Sequence, residues 1–410
     1  YTYATFYDRI QDSDTALGEL IEMLKTDGEL DNTFVFYFGD NGGSLPGTKG
    51  YTTEGGLQVP LVVYVPRKWR EFLPVKVGQR VDGFVSFMDL GPTLLHLAGI
   101  TVPEGIDGTP FLGEDISLKQ LNDRDEVYGY GDRFDELYAF NRTVRKGRFK
   151  YSRNFQPYHS KSLYAFYRYK QAAFREWKEL YAKGMLNEIQ KRFFEPQGAE
   201  ELYDLSVDPY ETKNLATVPV YRSTLENLRI LLKGKLLEEN DLGFYPECVW
   251  LEQGSQNPTG FGKKKKDKIK IYSDIADLEM ASFKDAKPAI SKALNSSDPV
   301  ERYWGATVCA SFGGEAVSLY KELELLTVDT QAFVRSRAIV ALSRMGKVNP
   351  VPLMKEALQI AGSGAESLLI LNDITYLQES NLGVHFNLQE SDILQKCSVT
   401  DWRLKYLSAK

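Results

Sequence analysis

The stretch with the most chemical content is Phe38-Gly39-Asp40-Asn41-Gly42-Gly43, followed by Gly47-Thr48-Lys49-Gly50 and Glu54-Gly55-Gly56-Leu57-Gln58-Val59-Pro60. A carboxylate beside a carboxamide offers hard oxygen donors, suited to Ca²⁺ or Mg²⁺ rather than zinc. Lys49 lies within a flexible loop's reach, and an ammonium there could neutralise an oxyanion held by the metal. The glycines let the backbone turn sharply and come close to a ligand. The same residues also read as a strand-terminating Asp-Asn-Gly turn followed by an ordinary surface lysine. Residue types alone leave both readings open.

The loop is placed by what flanks it. The apolar run Thr33 to Phe38 predicts a strand buried on both faces, as in a parallel sheet, with Asp40 and Asn41 at its carboxyl end. Open α/β sheets place their ligands there. Val59 to Val65 predicts a second buried strand. Upstream, Phe6, Ile10, Leu17, Ile21 and Leu24 form one helical stripe. Residues 82–99 read as a strand end followed by a helix with Met88, Leu90, Leu94, Leu95 and Leu97. Helix, strand, loop, strand, helix is the grammar of an α/β sandwich, assigned to residues 1–125.

Residues 126–250 read as a smaller α+β subdomain. It has a hairpin turning at Gly147, a long helical stretch over 162–194 and another helix over 220–238. Residues 251–275, polar and carrying Lys263 to Lys266, read as a linker, its lysines either an anionic-polymer patch or a solvated loop. Over 276–410, helices starting at Asp298-Pro299-Val300-Glu301-Arg302 and at Val334-Arg335-Ser336-Arg337-Ala338 share small residues and a terminal glycine. A third helix pair is expected between Val351 and Glu379. This self-similarity resembles HEAT repeats, which bury a core only by stacking, so the segment reads as a packing or binding module.

Composition narrows the function classes. A net charge of -6 and a pI near 5.5 argue against a nucleic-acid binder. The chain holds no run of 18 apolar residues, so no membrane span is expected. Cys248, Cys309 and Cys397 fit neither a zinc spacing nor a disulfide framework. Tyr1 opens directly into a helical pattern with no export signal, as if mid-fold, so the chain reads as part of a larger protein.

Taken together, Gly39-Asp40-Asn41-Gly42-Gly43, Lys49-Gly50 and Glu54 to Pro60 resemble the C-terminal metal-binding block of type I sulfatases, in the alkaline-phosphatase-like superfamily. Asp14 and Gly18, Val85 to Leu95, Asp107 to Phe111, Glu201 to Leu205 and Asp208 to Ala216 also match family patterns, so the resemblance covers roughly residues 1–247. It implies part of an alkaline-phosphatase-like α/β sandwich and hydrolysis of sulfate esters of carbohydrates. It further implies a calcium ion (Mg²⁺ the second choice) held by Asp40 and Asn41, with Lys49 contacting the sulfate. Related phosphatases usually carry Asp-His at this position, which suits zinc.

The family nucleophile is a formylglycine made in a Cys/Ser-x-Pro-x-Arg motif. No such motif occurs here, nor does the family's first aspartate pair. Both are expected upstream, and the 410 residues alone are expected to be inactive. Asp12 stands where many sulfatases carry a histidine that meets the substrate. If buried, it could serve as a general acid. Arg133 lies where related enzymes bring a loop to the substrate, and reads as a sulfate or carboxylate ligand or as a salt-bridge partner of Asp135 or Glu136. His96 reads as a core or boundary residue, and His159 could line a substrate cleft. Export to a periplasm or the cell exterior is the family expectation. Two rival readings are a phosphohydrolase or phosphotransferase on the same scaffold, and a degenerate catalytic domain serving a helical binding protein.

Overall fold

The computed structural model describes residues 2–408, which form two compact units. Of the described residues, the first comprises 2–129, 143–151 and 202–215, and the second 130–142, 152–201 and 216–408. The segments interleave, so the units do not divide at the boundaries expected from the sequence.

The chain opens with helix α1 (Thr2–Thr26), none of whose described residues is buried. Phe6, Leu17, Ile21 and Leu24 of the expected stripe are half-buried, while Ile10 is exposed. Strand β1 (Val35–Phe38), helix α2 (Glu54–Leu57) and strand β2 (Leu61–Tyr64) follow. β1 and β2 pair antiparallel, Val35 opposite Tyr64 and Phe38 opposite Leu61, which corrects the parallel arrangement expected above. A continuous apolar run signals burial but carries no information on strand direction, which the returning loop sets here. Nor is β1 buried on both faces. Phe36, Leu61 and Val63 pack against the core residues Phe111, Leu112 and Leu121, while Tyr37, Phe38 and Val62 are exposed.

Helices α3 (Leu90–Leu97) and α4 (Leu118–Asn122) complete this part of the unit. The strand end expected just before α3 is absent among the described residues. Residues 82–86 run as an extended loop in which Phe84 N–H donates to Arg124 O at 2.8 Å. The Asp89 carboxylate, buried before α3, accepts from Ser86 N–H and Thr109 N–H, at 2.9 and 2.8 Å, which ends the loop and starts the helix.

Strands β3 (Glu126–Phe134), β4 (Leu137–Lys146), β5 (Phe149–Asn154) and β6 (Glu200–Asp204) form a sheet in the order β3-β4-β5-β6. The expected hairpin turns at Gly147, whose φ of 54° suits glycine, and is longer than its sequence signal.

The long helix expected over 162–194 is three short ones, α5 (Phe166–Tyr169), α6 (Ala172–Ala182) and α7 (Glu188–Lys191). Gly184, at φ 67°, turns the chain after α6, and the Asn187 side chain caps α7 by accepting from Ile189 and Gln190 N–H. Helix α8 (Arg222–Glu238) follows.

The expected linker is instead ordered helix, α9 (Glu247–Gly254) and α10 (Pro258–Ala276). Asn257 caps α10 through Gly260 N–H, Pro258 occupies its first turn, and Phe261, Ile269, Tyr272 and Ala276 give it a buried face. The lysine run that suggested a loop is its solvated side. The remaining helices are α11 (Phe283–Leu294), α12 (Pro299–Phe312), α13 (Tyr320–Leu326), α14 (Ala332–Arg344), α15 (Pro350–Ile360), α16 (Gly364–Glu379) and α17 (Thr400–Ser408). α12, α14 and the α15–α16 pair lie where the sequence placed them.

Polar side chains bind these helices to the rest of the second unit. Arg337 of α14 is buried and donates to the hydroxyls of Tyr158 and Tyr303, at 2.8 and 2.9 Å, while pairing with buried Asp373 of α16 at 2.9 Å. Arg403 of α17 donates to the carbonyls of Tyr164 and Glu136, at 2.6 and 3.2 Å. Phe140, Phe155, Phe244 and Trp304 pack as an aromatic cluster, with the indole N–H on Phe244 O at 2.8 Å. The helices therefore share one core with β4, β5 and the segment after them.

His159 lies inside this core, not in a cleft, between Tyr158 and Tyr376. Neither ring nitrogen has a partner among the described residues. Burial, and then the charges of Arg337, Arg344 and Arg403, hold its pKa well below the ordinary 6.5. The folded state thus keeps the ring neutral, whereas the unfolded chain protonates it near 6.5. Stability from this source is full above that pH and lost as the pH falls below it. The melting temperature should therefore fall less steeply between about pH 7.5 and about pH 5 in His159→Phe than in the native chain. Parallel curves would assign the acid sensitivity to other groups.

Candidate functional site

The loop that joins β1 to β2 holds Asp40, Asn41 and Lys49. β1 ends at Phe38, and the ladder continues one step as Gly39 N–H donates to Pro60 O at 3.2 Å. Asp40 then projects as an exposed residue, while Asn41 and Lys49 are half-buried.

Two backbone crossings close the loop. Gly42 N–H donates to Gly56 O at 3.0 Å, and a Cβ on Gly42 would stand 1.9 Å from Gly55 O. A Cβ on Gly56 would stand 2.2 Å from Tyr51 O. Only glycine allows either approach. Within the loop, Gly43 O accepts from Leu45 N–H at 2.7 Å and Lys49 N–H at 3.2 Å, and the Thr53 hydroxyl donates to Gly47 O at 2.7 Å. The loop is a folded object, and Lys49 is held on it by its own backbone.

Glu54, at the first turn of α2, anchors the loop's far end. Its carboxylate meets Arg145 Nη1 at 2.5 Å and Lys150 Nζ at 3.3 Å, and Lys150 also meets Glu211 at 2.6 Å. Glu211 in turn accepts from Glu54 N–H at 3.3 Å. The Lys150 side chain is only 1% exposed, so its charge depends on these two carboxylates. Glu211 reaches it from an unusual backbone position, φ 55°, stabilised where Asp208 accepts from the Thr212 and Lys213 N–H groups at 3.0 and 2.8 Å. Arg145 lies over the Phe84 ring, 4.7 Å from its centre.

The sequence marked Glu54 and Glu211 only as parts of patterns, and missed Arg145 and Lys150 as members of the site's support. The available signal was Lys150, a lysine set between the aromatic residues Phe149 and Tyr151 of a strand.

The other expected site residues are placed differently. Asp12 lies on the exposed side of α1, where Arg9 pairs with it at 2.8 Å. Arg133 belongs to the second unit and makes a close pair with Glu247 on α9, with Nε–Oε1 at 2.7 Å. Its ion-pair partner is therefore neither Asp135 nor Glu136. Asp135 supplies only a backbone carbonyl, at 3.4 Å, because its left-handed conformation (φ 52°) places the turn there. His96 is a boundary residue facing Asp115 at 2.7 Å, and His385 is exposed. Cys248 and Cys309 are buried free thiols, their pKa values pushed up by burial.

As metal donors, Asp40 and Asn41 supply hard oxygens from adjacent positions. Among the described residues, no three His, Cys, Asp or Glu side chains gather into a metal-holding group. Ca²⁺ takes about six to eight oxygen ligands. The pair fits part of a hard-cation site and does not make a whole one.

The segment that carries this loop is similar to known proteins. Residues 1–100 match the sulfatase family model. An ulvan-active sulfatase of Formosa agariphila is 35% identical over 59% of this chain and 39% of its own length. A second ulvan-active sulfatase of that organism is 29% identical over 59% of this chain and 46% of its own. An arylsulfatase of Clostridium perfringens is 25% identical over 59% of this chain and 41% of its own. The chain thus spans less than half the length of these relatives, and the matches support the sulfatase family.

The anchor can be tested without any activity assay. Lys150→Ala leaves Glu54 and Glu211 buried without their shared cation and should lower stability by about 3–5 kcal/mol in denaturant titration. Lys146→Ala, on the half-exposed end of β4, should change it by less than about 1 kcal/mol. Equal effects of the two substitutions would mean the cluster does not hold the loop.

Proposed function

We propose that this chain is the C-terminal portion of a sulfatase that hydrolyses sulfate esters of carbohydrates. The observation that carries the reading is the closed loop at the end of β1, which presents Asp40, Asn41 and Lys49 on one rigid segment. The names of the similar proteins point to sulfated polysaccharide, ulvan being the substrate named for two of them.

Asp40 and Asn41 would contribute two ligands to a calcium ion, the remaining ligands and a formylglycine nucleophile coming from polypeptide outside these 410 residues. The cation, when bound, would polarise the sulfuryl oxygens. Lys49 would hold its ammonium against the charge on the transferring sulfuryl group, where a preplaced positive charge acts most strongly. The asparagine beside Asp40, an oxygen donor where phosphatase relatives usually carry histidine, favours a single hard cation and sulfate chemistry over a zinc-dependent phosphohydrolase. The stacked helices α11 to α16 are read as HEAT-like repeats that add binding surface and core, and the mature protein as periplasmic or secreted.

In the complete protein, Asp40→Ala should abolish turnover of an aryl sulfate and weaken calcium retention on dialysis, leaving the thermal melt close to native. Lys49→Ala should keep the calcium and lower turnover by about 100- to 1,000-fold. A protein that hydrolysed aryl phosphate and not aryl sulfate would refute the sulfatase reading. Near-native turnover in Lys49→Ala would refute the role of Lys49.

A further inference from the structure

Helix α10 carries Lys263, Lys264, Lys265 and Lys266 in successive positions, all exposed. Further along the helix, each lysine has an acid. Lys268 meets Asp298 and Glu301, at 2.7 and 3.1 Å, and Lys270 meets Asp274 at 2.6 Å. Among the described residues, no ion pair engages the four lysines of the run. In a chain of net charge -6 this is a local excess of positive charge on a rigid backbone. Lys263 and Lys266, three positions apart, are neighbours on the helix surface, where like charges repel by a few tenths of a kcal/mol. A bound polyanion would relieve that repulsion.

Lys265 also lines a groove of about 800 Å³ in the second unit, with Tyr245, Tyr272, Phe333, Gln253 and Ser363 on its walls. Two of the groove's carboxylates are already engaged. Asp298 accepts from Val300 N–H at 2.9 Å besides pairing Lys268, and Glu366 accepts from Phe333 and Gly362 N–H at 3.0 and 2.7 Å. Glu252 is the further acid on the wall, and Lys265 is the lysine of the run that lines it, the other three extending the positive charge along the helix beyond the groove. The amide and hydroxyl groups of Gln253 and Ser363 beside exposed ammonium groups suit a sulfated sugar chain, with hydrogen bonds for its hydroxyls and cations for its sulfates.

We propose that the α10 lysine run and this groove form a non-catalytic binding site for sulfated polysaccharide. The choice of polyanion rests on the sulfatase reading, whereas the site itself rests on the lysines and the groove. Nucleic acid is the less suitable occupant, because the chain as a whole is acidic and the basic surface is one helical stretch.

The test is retention of the protein on immobilised dextran sulfate, with uncharged dextran and double-stranded DNA as comparison matrices, for the native chain and for K263Q/K264Q/K265Q/K266Q. All four side chains are exposed, so the thermal melt of the variant should match the native one. The native protein should bind dextran sulfate over dextran and lose that binding as salt rises, since exposed charges are screened. The variant should bind at least about tenfold more weakly. Equal retention of native protein and variant, or no preference for dextran sulfate over dextran, would overturn the proposal. Binding to DNA as tight as to dextran sulfate, lost in the same variant, would also overturn it by assigning the patch to nucleic acid. Turnover of a small aryl sulfate by the complete protein separates the two readings. Polymer binding without sulfatase activity sinks the enzyme assignment and leaves the site standing. Activity with unaltered polymer binding in the variant sinks the site alone.

Discussion

In the first unit, the arrangement of the candidate site depends on a buried lysine having two carboxylates to face. Lys150 comes from the middle of a strand, Glu54 from the end of the loop and Glu211 from a turn far along the chain. An ammonium so deeply buried is tolerable only when paired and hydrogen-bonded. Satisfying it therefore fixes where a distant turn and the loop's end must lie. Arg145 adds a second cation to Glu54, so the loop is tied at the residue that begins α2. The pattern of glycines around Glu54 is then intelligible in physical terms, since backbone must pass backbone directly beside the charge cluster.

Much of this was legible from the sequence, and the illegible parts share a cause. The positions of β1 and β2 follow from apolar runs, and those of α12, α14 and α16 from caps and helical spacing, because such signals are local. The antiparallel pairing of β1 with β2 was not legible, because direction is set by how twenty-odd intervening residues fold. The helix at 258–276 was misread because its lysines outweighed, in composition, the few residues that bury it. Phe261, Ile269, Tyr272 and Ala276 supply a buried face that four lysines cannot cancel. Asp40, Asn41 and Lys49 could be named from residue type and pattern. Their support could not, since Arg145, Lys150 and Glu211 join Glu54 only through tertiary contact. Arg133 shows the converse. Its side chain suits an anionic ligand, and the anion it meets is Glu247, more than a hundred residues on.

The second unit shows how a helical array can cease to be separable. Arg337 and Arg403 sit on helices that look modular in sequence, yet their guanidinium groups end on Tyr158, Tyr164 and Glu136, in and around the segment between β5 and α5 and the turn between β3 and β4. Each planar group holds several acceptors in fixed directions. The array thus shares its polar core with the sheet-derived segments, and its stability is not a sum over its helices alone.

The crossing at Gly42 and Gly56 has a thermodynamic consequence for any ligand of the loop. A segment of this length, if disordered, would lose roughly 1–2 kcal/mol of backbone entropy per residue on being ordered by a ligand. Here that ordering accompanies folding of the chain, so it is not charged against binding. A ligand of the kind proposed for Asp40 and Lys49 would then bind with the calorimetric signature of local desolvation and charge neutralisation, without the large heat-capacity change that accompanies coupled folding.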